Sequence, residues 1–172
     1  MTGRRSDTIS IRPVGKAGDL GWMIMAHGEL YASEFGWDTT FEALVARIVA
    51  DFAGSTDPTR EAGWIAEMGG RRVGCVLCVA DHDDPDGPAA KLRVLLVDPQ
   101  ARGHGVGGRL VDTCVDFARQ AGYRRLGLWT NNVLIAARRI YQSRGFVLCA
   151  EDPHHSFGHD LVGESWSLPL AP

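Results

Sequence analysis

The chain has 172 residues, 45% of them hydrophobic and 23% charged, and a formal net charge of -3. Such a chain forms a single domain with a real core, and it is neither a disordered polymer nor a small disulfide-stapled scaffold. Its longest apolar run, Val73 to Ala80, falls far short of the roughly 18 residues of a membrane helix, and residues 1–16 hold arginines but no apolar leader segment. The expectation is one domain over residues 1–172, cytoplasmic, with no membrane partner.

Thr8 to Pro13 alternates with period two and stops at a proline, which predicts a first strand. Asp19 can cap a helix predicted from Leu20 to Phe35, with Leu20, Ile24, His27, Tyr31 and Glu34 along one side. After Gly36-Trp37-Asp38 a second helix is predicted over Thr40 to Phe52, followed by a loop at Gly54 to Pro58. Trp64 to Met68 and Arg72 to Ala80 read as two strands joined by a Gly69-Gly70 hairpin, the second apolar on both faces and therefore central in a sheet. Cys75 and Cys78 point to opposite faces of that strand and cannot grip one metal ion; with Cys114 and Cys149 they read as small buried apolar residues.

Asp81 to Pro88 is an acidic loop, and Leu92 to Val97 is the next strand, ended by Asp98-Pro99. A glycine-rich turn then opens a helix from Val106 to Ala121, stopped by Gly122 and buried through Val106, Leu110, Cys114, Phe117 and Ala118. Leu126 to Thr130 returns as a strand, so strand, helix and strand predict a parallel pairing. A helix over Leu134 to Ser143, closed by Gly145, and strands at Phe146 to Ala150 and Glu164 to Leu170 complete the chain. The fold class is α/β, a mixed sheet of six or seven strands flanked by about four helices.

Charge is unevenly spread. Lys91 to Val147 holds ten Lys/Arg against three aspartates, a net of +7, whereas the rest of the chain carries 8 basic and 18 acidic residues, a net of -10. The basic segment suits an anionic partner. No aromatic interleaving or recognition motif accompanies the arginines, so a phosphorylated cofactor is expected and nucleic acid is not. Within this segment Leu96-Val97-Asp98-Pro99-Gln100-Ala101-Arg102-Gly103-His104-Gly105-Val106-Gly107-Gly108 feeds a strand through glycines into a helix, where free amides and the helix dipole can bind phosphate oxygens. Gly103, Gly105 and Gly108 match a dinucleotide pattern, but Thr130-Asn131-Asn132 stands where the ribose-binding acid belongs, and no Gly-Lys-Ser/Thr follows for a Walker loop.

Arg102-x-x-Gly105-x-Gly107 after a strand resembles the pyrophosphate-binding motif of the GNAT acetyltransferases, and Tyr141-x-x-x-Gly145-Phe146 resembles the ending that follows it in the family. More narrowly, Gly28-Glu29-Leu30-Tyr31, Glu34-Phe35-Gly36-Trp37, Trp129-Thr130-Asn131, Ala136 to Tyr141 and His154 to Leu161 resemble the acetyltransferase half of bacterial MarR-GNAT fusion proteins. The resemblance implies transfer of acetyl from acetyl-CoA to a primary amine by direct attack. It implies that Arg102, Gly103, His104, Gly105, Val106 and Gly107 hold the pyrophosphate, that Leu96 and Val97 pair with the pantetheine arm, and that Ala137 and Arg144 join them. It also implies Tyr141 as the general acid that protonates the departing thiolate. Leu134 stands where many relatives carry a pantetheine-contacting asparagine, which leaves Asn131 or Asn132 for that task.

The acceptor side is less legible. Glu67 and Glu34, with Glu29, are the candidate bases, and His27, Tyr31, Trp37 and His155 are the candidate substrate-binding residues. His154, His155, His159 and Asp160 are zinc-type ligands, but Pro153 and Gly158 deny them helical spacing, and an active-site wall is the preferred reading over a metal site. The acidic remainder of the chain favours a cationic acceptor, a small-molecule amine or a lysine side chain. A homodimer is compatible with this reading. The alternative function is a non-catalytic acyl-CoA-binding sensor or partner module.

Overall fold

The computed structural model describes residues 8–55 and 57–170; residues 1–7, Thr56 and residues 171–172, which the single-domain expectation and the Gly54 to Pro58 loop include, lie outside the described residues. In order the chain forms β1 (Ile9–Pro13), α1 (Asp19–Phe35), α2 (Thr39–Ala53), β2 (Ala62–Met68), β3 (Arg71–Asp81) and β4 (Ala89–Val97). A short 3-10 turn at Pro99–Ala101 leads into α3 (Val106–Gln120), β5 (Arg125–Asn131), α4 (Ile135–Ser143), β6 (Val147–Ser156) and β7 (His159–Pro169). The strands form one sheet in the order β1-β2-β3-β4-β5-β7-β6, with β3 inside it and β4/β5 as the parallel pair. No helix among the described residues is long and apolar enough to cross a membrane.

Each face of the sheet has its own core. On one, α1 and α2 bring Met23, Val45 and Val49 against Ile65, Cys75, Leu77 and Leu96. On the other, α3 and α4 bring Val106, Leu110, Cys114 and Tyr141 against Val76, Cys78, Leu126 and Trp166. Cys75 and Cys78 thus sit on opposite faces, whereas Cys149 is exposed and departs from the buried reading. Gly69 and Gly70 turn the β2/β3 hairpin with φ of +58° and +77°, values glycine adopts without steric cost.

Two expectations change. The segment from His154 to Asp160 is no separate loop: β6 and β7 pair from Val147/Ser167 to Ser156/His159 and turn only at Phe157-Gly158, so the last hairpin is longer than its apolar stretches. The apolar stretch to Ala150 marked only the first half of β6; beyond it the strand reads Glu151-Asp152-Pro153-His154-His155-Ser156, polar and largely exposed, so hydrophobic periodicity could not extend it. Asp19 does not cap α1. Gly18 stands at the cap, and Asp19, 1% exposed, accepts from Arg12 Nη2 and Arg72 Nε through Oδ1 and from Arg12 Nη1 and the Gly15 and Lys16 amides through Oδ2, each at 2.9 Å. This cluster ties β1, β3 and the start of α1 together.

The Arg12 guanidinium above all holds the Asp19 carboxyl well below the usual carboxylate range, against the opposing effect of burial. A carboxyl lowered on folding stabilises the native state above its unfolded pKa of about 4, and that gain is lost as pH falls below it. Asp19→Asn is therefore expected to lose about 2–3 kcal/mol at pH 7. Urea unfolding at pH 7 and pH 3 should show the gap between wild type and variant shrink at the lower pH.

Candidate active site

β4 and β5 pair only at Ala89/Arg125, Ala90/Leu126 and Lys91/Gly127, after which they part. The departure is built into β4. Val94 has φ +50°, and the β3/β4 register slips between Cys75 and Leu77. The buried Cys75 thiol donates to the Val94 carbonyl at 3.2 Å. A β-branched residue in the left-handed region costs about 1–3 kcal/mol and persists where the surroundings hold it, as they do at ligand sites.

The gap opens on a cleft of about 640 Å³ bordered by Leu95, Leu96 and Val97 of β4, the end of α1, the glycine turn and α4. The Asp98 carboxylate accepts the Gln100 amide at 2.8 Å and starts the turn, and Gly103 and Gly105 carry φ of +83° and +70°. The first helical bond of α3 runs from the Arg109 amide to the Gly105 carbonyl, so the amides of Val106, Gly107 and Gly108 lack helical acceptors. Gly107 also lets α4 approach, since a Cβ there would come within 2.6 Å of Ile140 Cδ1, and Gly108 leaves room for the Arg144 guanidinium. Arg102, Arg139 and Arg144 bring guanidinium groups to the same wall. Free amides and cations on a glycine floor suit a diphosphate.

A second chamber of about 120 Å³ lies beyond, and its wall shares Tyr31, Leu95, Leu134 and Ala137 with the cleft. Aromatic rings build it. Tyr31 stacks on His27 at 5.8 Å and meets Phe41 at 4.7 Å and Trp37 at 5.2 Å, while Phe157 of the β6/β7 turn packs on Trp37 at 4.9 Å. The hairpin is fastened there by the Asp38 amide donating to the Phe157 carbonyl and by His159 Nε2 donating to the Gly36 carbonyl. His27 donates from Nδ1 to the Met23 carbonyl at 2.7 Å, and its Nε2 has no partner among the described residues. Burial pulls its pKa down to about 4, so the ring is neutral at physiological pH. Tyr141 also lines the chamber, 4% exposed, with its phenol pushed above the ordinary tyrosine value by burial.

The structure therefore gathers most of the sequence-predicted residues and separates a few. Leu96, Val97, Arg102, Gly103, Gly105, Val106, Gly107, Ala137, Arg144 and Glu34 border the cleft; His27, Tyr31, Trp37, Asn131 and Tyr141 border the chamber. His104 folds its ring onto its own loop, with Nδ1 3.1 Å from the Ala101 carbonyl. Asn132 uses its side chain to accept the Val162 amide and lines neither space, and Asn131 meets His154 Nε2 at 2.9 Å. Glu67, a candidate base, is held by Arg12 at 2.7 Å and Lys16 at 3.7 Å beside the Asp19 cluster, outside both spaces. Its carboxyl is pulled down chiefly by Arg12, which makes it a poor base. Glu34 is paired with Arg102, and His155 is exposed on the hairpin beside Asp160 at 2.8 Å.

Several residues escaped the sequence reading. Gly108, Arg139 and Ile140 complete the cleft, and their signal was present in the glycine pair and in the helical spacing after Ala136. Arg93 and Phe41 of the chamber had none, because only the parting of β4 and β5 brings them together. Glu164, 1% exposed on β7, lies 2.8 Å from Arg138 Nε and anchors α4 to the sheet. Among the described residues no group of three His, Cys, Asp or Glu stands close enough to hold a metal ion.

The acetyltransferase (GNAT) family model matches residues 26–146. The chain belongs to this family. The match carries the acetyltransferase class and acetyl-CoA as the family's co-substrate, in line with the motif. N-acetyltransferase family 8 member 2 of Rattus norvegicus is 38% identical over 84 residues, 48% of this chain and 37% of that protein. N-acetylaspartate synthetase of Danio rerio is 34% identical over 89 residues, 52% of this chain and 30% of that protein. This GNAT chain spans less than half the length of either relative. Among solved structures, an N-acetyltransferase from Staphylococcus aureus Mu50 superposes with a TM-score of 0.77 at 19% identity over 95% of this chain and 99% of that one. An acetyltransferase from Salmonella typhimurium, solved with its cofactor acetyl-CoA, superposes with a TM-score of 0.74 at 19% identity over 96% and 95%. The α/β fold with seven strands and four helices is that of these structures.

Gly105 has no atom within 4 Å of the place a Cβ would take, so Gly105→Ala acts through the backbone alone. It is expected to lose about 1–2 kcal/mol of stability from the left-handed conformation, and calorimetry with CoA should show weaker binding as the loop amides turn away.

Proposed function

We propose that this chain moves the acetyl group of acetyl-CoA to a primary amine, a small molecule or a lysine side chain, by direct attack of the amine nitrogen. The observation that carries this reading is the meeting of a cationic, glycine-floored cleft with an aromatic chamber at Tyr31, Leu95, Leu134 and Ala137. The amides of Val106 to Gly108 with Arg102, Arg139 and Arg144 hold the diphosphate, and the edge of β4 that faces away from β3 at Leu96 and Val97 holds the pantetheine arm. Acetyl-CoA supplies a thioester that is already activated, so the protein chiefly aligns the amine and moves protons.

In the transfer a C–N bond forms and the C–S bond breaks; the nitrogen loses a proton and the sulfur gains one. Tyr141 gives that proton. Support comes from its place on the chamber wall, one helical turn past Ala137 on the shared boundary, and from the burial that keeps its phenol protonated. The phenol is restored by the proton the nitrogen releases. No carboxylate lines the chamber among the described residues, so the amine enters unprotonated.

The proposal further comprises one domain over residues 1–172, a cytoplasmic setting in keeping with four free thiols, and closeness to the acetyltransferase half of the MarR-GNAT fusions on the motifs quoted above. A homodimer through the β6 edge is supported by exposed Val147 and Leu148. The missing carboxylate also favours a second reading, a non-catalytic acyl-CoA sensor, and the same experiment separates the two.

Release of CoA thiol is to be followed across an amine panel. Tyr141→Phe is expected to lower kcat about 100-fold or more while calorimetric CoA affinity stays within a few-fold; equal turnover removes Tyr141 from the mechanism. In wild type, kcat/KM is expected to climb with pH toward each amine's own pKa, and a plateau near pH 5 would reveal a carboxylate base instead. CoA binding without thiol release from any amine would carry the sensor reading.

A further inference from the structure

Arg93 stands on β4 just past the last β4/β5 pair, half-buried, and lines the chamber. Among the described residues no carboxylate reaches its guanidinium within ion-pair distance and no hydrogen bond engages it; Asp51 of α2 and Asp81 of β3 act on it only at longer range. Three neighbouring arginines, by contrast, have a carboxylate within ion-pair distance. Arg102 pairs with Glu34, Arg144 with Asp112 and Arg138 with Glu164. A guanidinium withdrawn from water without a partner is costly, and burial accordingly pulls its pKa down. An incoming anion recovers that loss through paired hydrogen bonds.

Most of the remaining chamber wall is apolar or aromatic, Trp37, Phe41 and Trp129 among it; its other polar side chains, on His27, Tyr31, Thr130, Asn131 and Tyr141, are uncharged at neutral pH, and no carboxylate lines it among the described residues. We propose that Arg93 receives a carboxylate of the acceptor, so that the acceptor is an amine and a carboxylate in one small molecule, an amino acid whose apolar side chain lies against the aromatic wall. This rests on the acetyl-transfer reading and narrows it, displacing both the lysine side chain and the cationic acceptor. The net charge of -10 outside the basic segment attracts cations from a distance but is screened beyond about 8–10 Å, whereas Arg93 is part of the wall. A single fixed cation in an apolar chamber also rejects the decarboxylated amine, which would leave the guanidinium buried and unpaired.

The test compares leucine with isoamylamine and phenylalanine with phenethylamine, by thiol release from acetyl-CoA. Wild type is expected to favour the amino acid in kcat/KM by about 30-fold or more, chiefly through KM. Arg93→Met should collapse that ratio toward one, and Arg93→Lys, which keeps charge but not the planar fork, should give an intermediate ratio. A wild-type ratio near one, or an undiminished ratio in Arg93→Met, overturns the proposal. Should Arg93→Met fail to fold by circular dichroism, Arg93→Lys and wild type with leucinamide carry the same comparison. If no amine releases thiol, equilibrium dialysis of radiolabelled leucine and phenylalanine against the protein with CoA decides. Binding that weakens in Arg93→Lys upholds the carboxylate site while acetyl transfer fails, and no binding overturns both.

Discussion

Three residue pairs hold β4 to β5, and beyond them the strands part inside an otherwise continuous sheet. Backbone groups exposed along such a break demand partners, because an unpaired amide or carbonyl away from water costs as much as a lost hydrogen bond. The fold meets part of that demand internally. Cys75 gives its thiol hydrogen to the carbonyl of Val94, the residue whose left-handed backbone turns β4 aside. The remainder is what the proposed pantetheine arm would satisfy by lying along the strand. Cleft, chamber and shared wall all follow from this one discontinuity.

The two spaces it creates differ in electrostatics. The cleft offers amides at the start of α3 and three arginines, a surface made for a polyanion. The chamber is walled largely by rings, with a neutral imidazole, two phenols raised by burial and one guanidinium that lacks a counter-ion. Such surroundings strengthen every charge within them. A group that enters the chamber meets few polar atoms, and each one therefore carries much of the selectivity.

α1 links stability to site geometry. Its first residue, Asp19, is the centre of the ion cluster that binds β1 and β3, and its last turn carries Tyr31 and Glu34 to the place where the two spaces meet. Gly36, at φ +69°, ends the helix and returns its amide to Ala32. His159 then fastens the distant hairpin to that corner. The helix is thus held rigidly at both ends, which suits residues that must keep reacting groups in register.

Local signals carried the strand and helix order, the Gly69-Gly70 turn and the glycine loop, because each depends on periodicity, special backbone angles or spacing along a few residues; Tyr141 was singled out only by its resemblance to the family ending, since its own helical spacing reads as core. Asp19 was legible as a polar residue at a helix start but not as the hub of a cluster drawn from β1 and β3. Glu67 looked well placed on a strand and proved to face Arg12 at the opposite end of α1 from the cleft. Arg93 was indistinguishable from a solvated arginine until the bulge at Val94 turned β4 into the chamber. Periodicity and turn chemistry, being properties of neighbours in the chain, settled the α/β architecture and the phosphate-type loop. Which polar groups lose their water, and which find a partner afterwards, depended on atoms brought from far apart in sequence, and that was decided when the sheet closed and split.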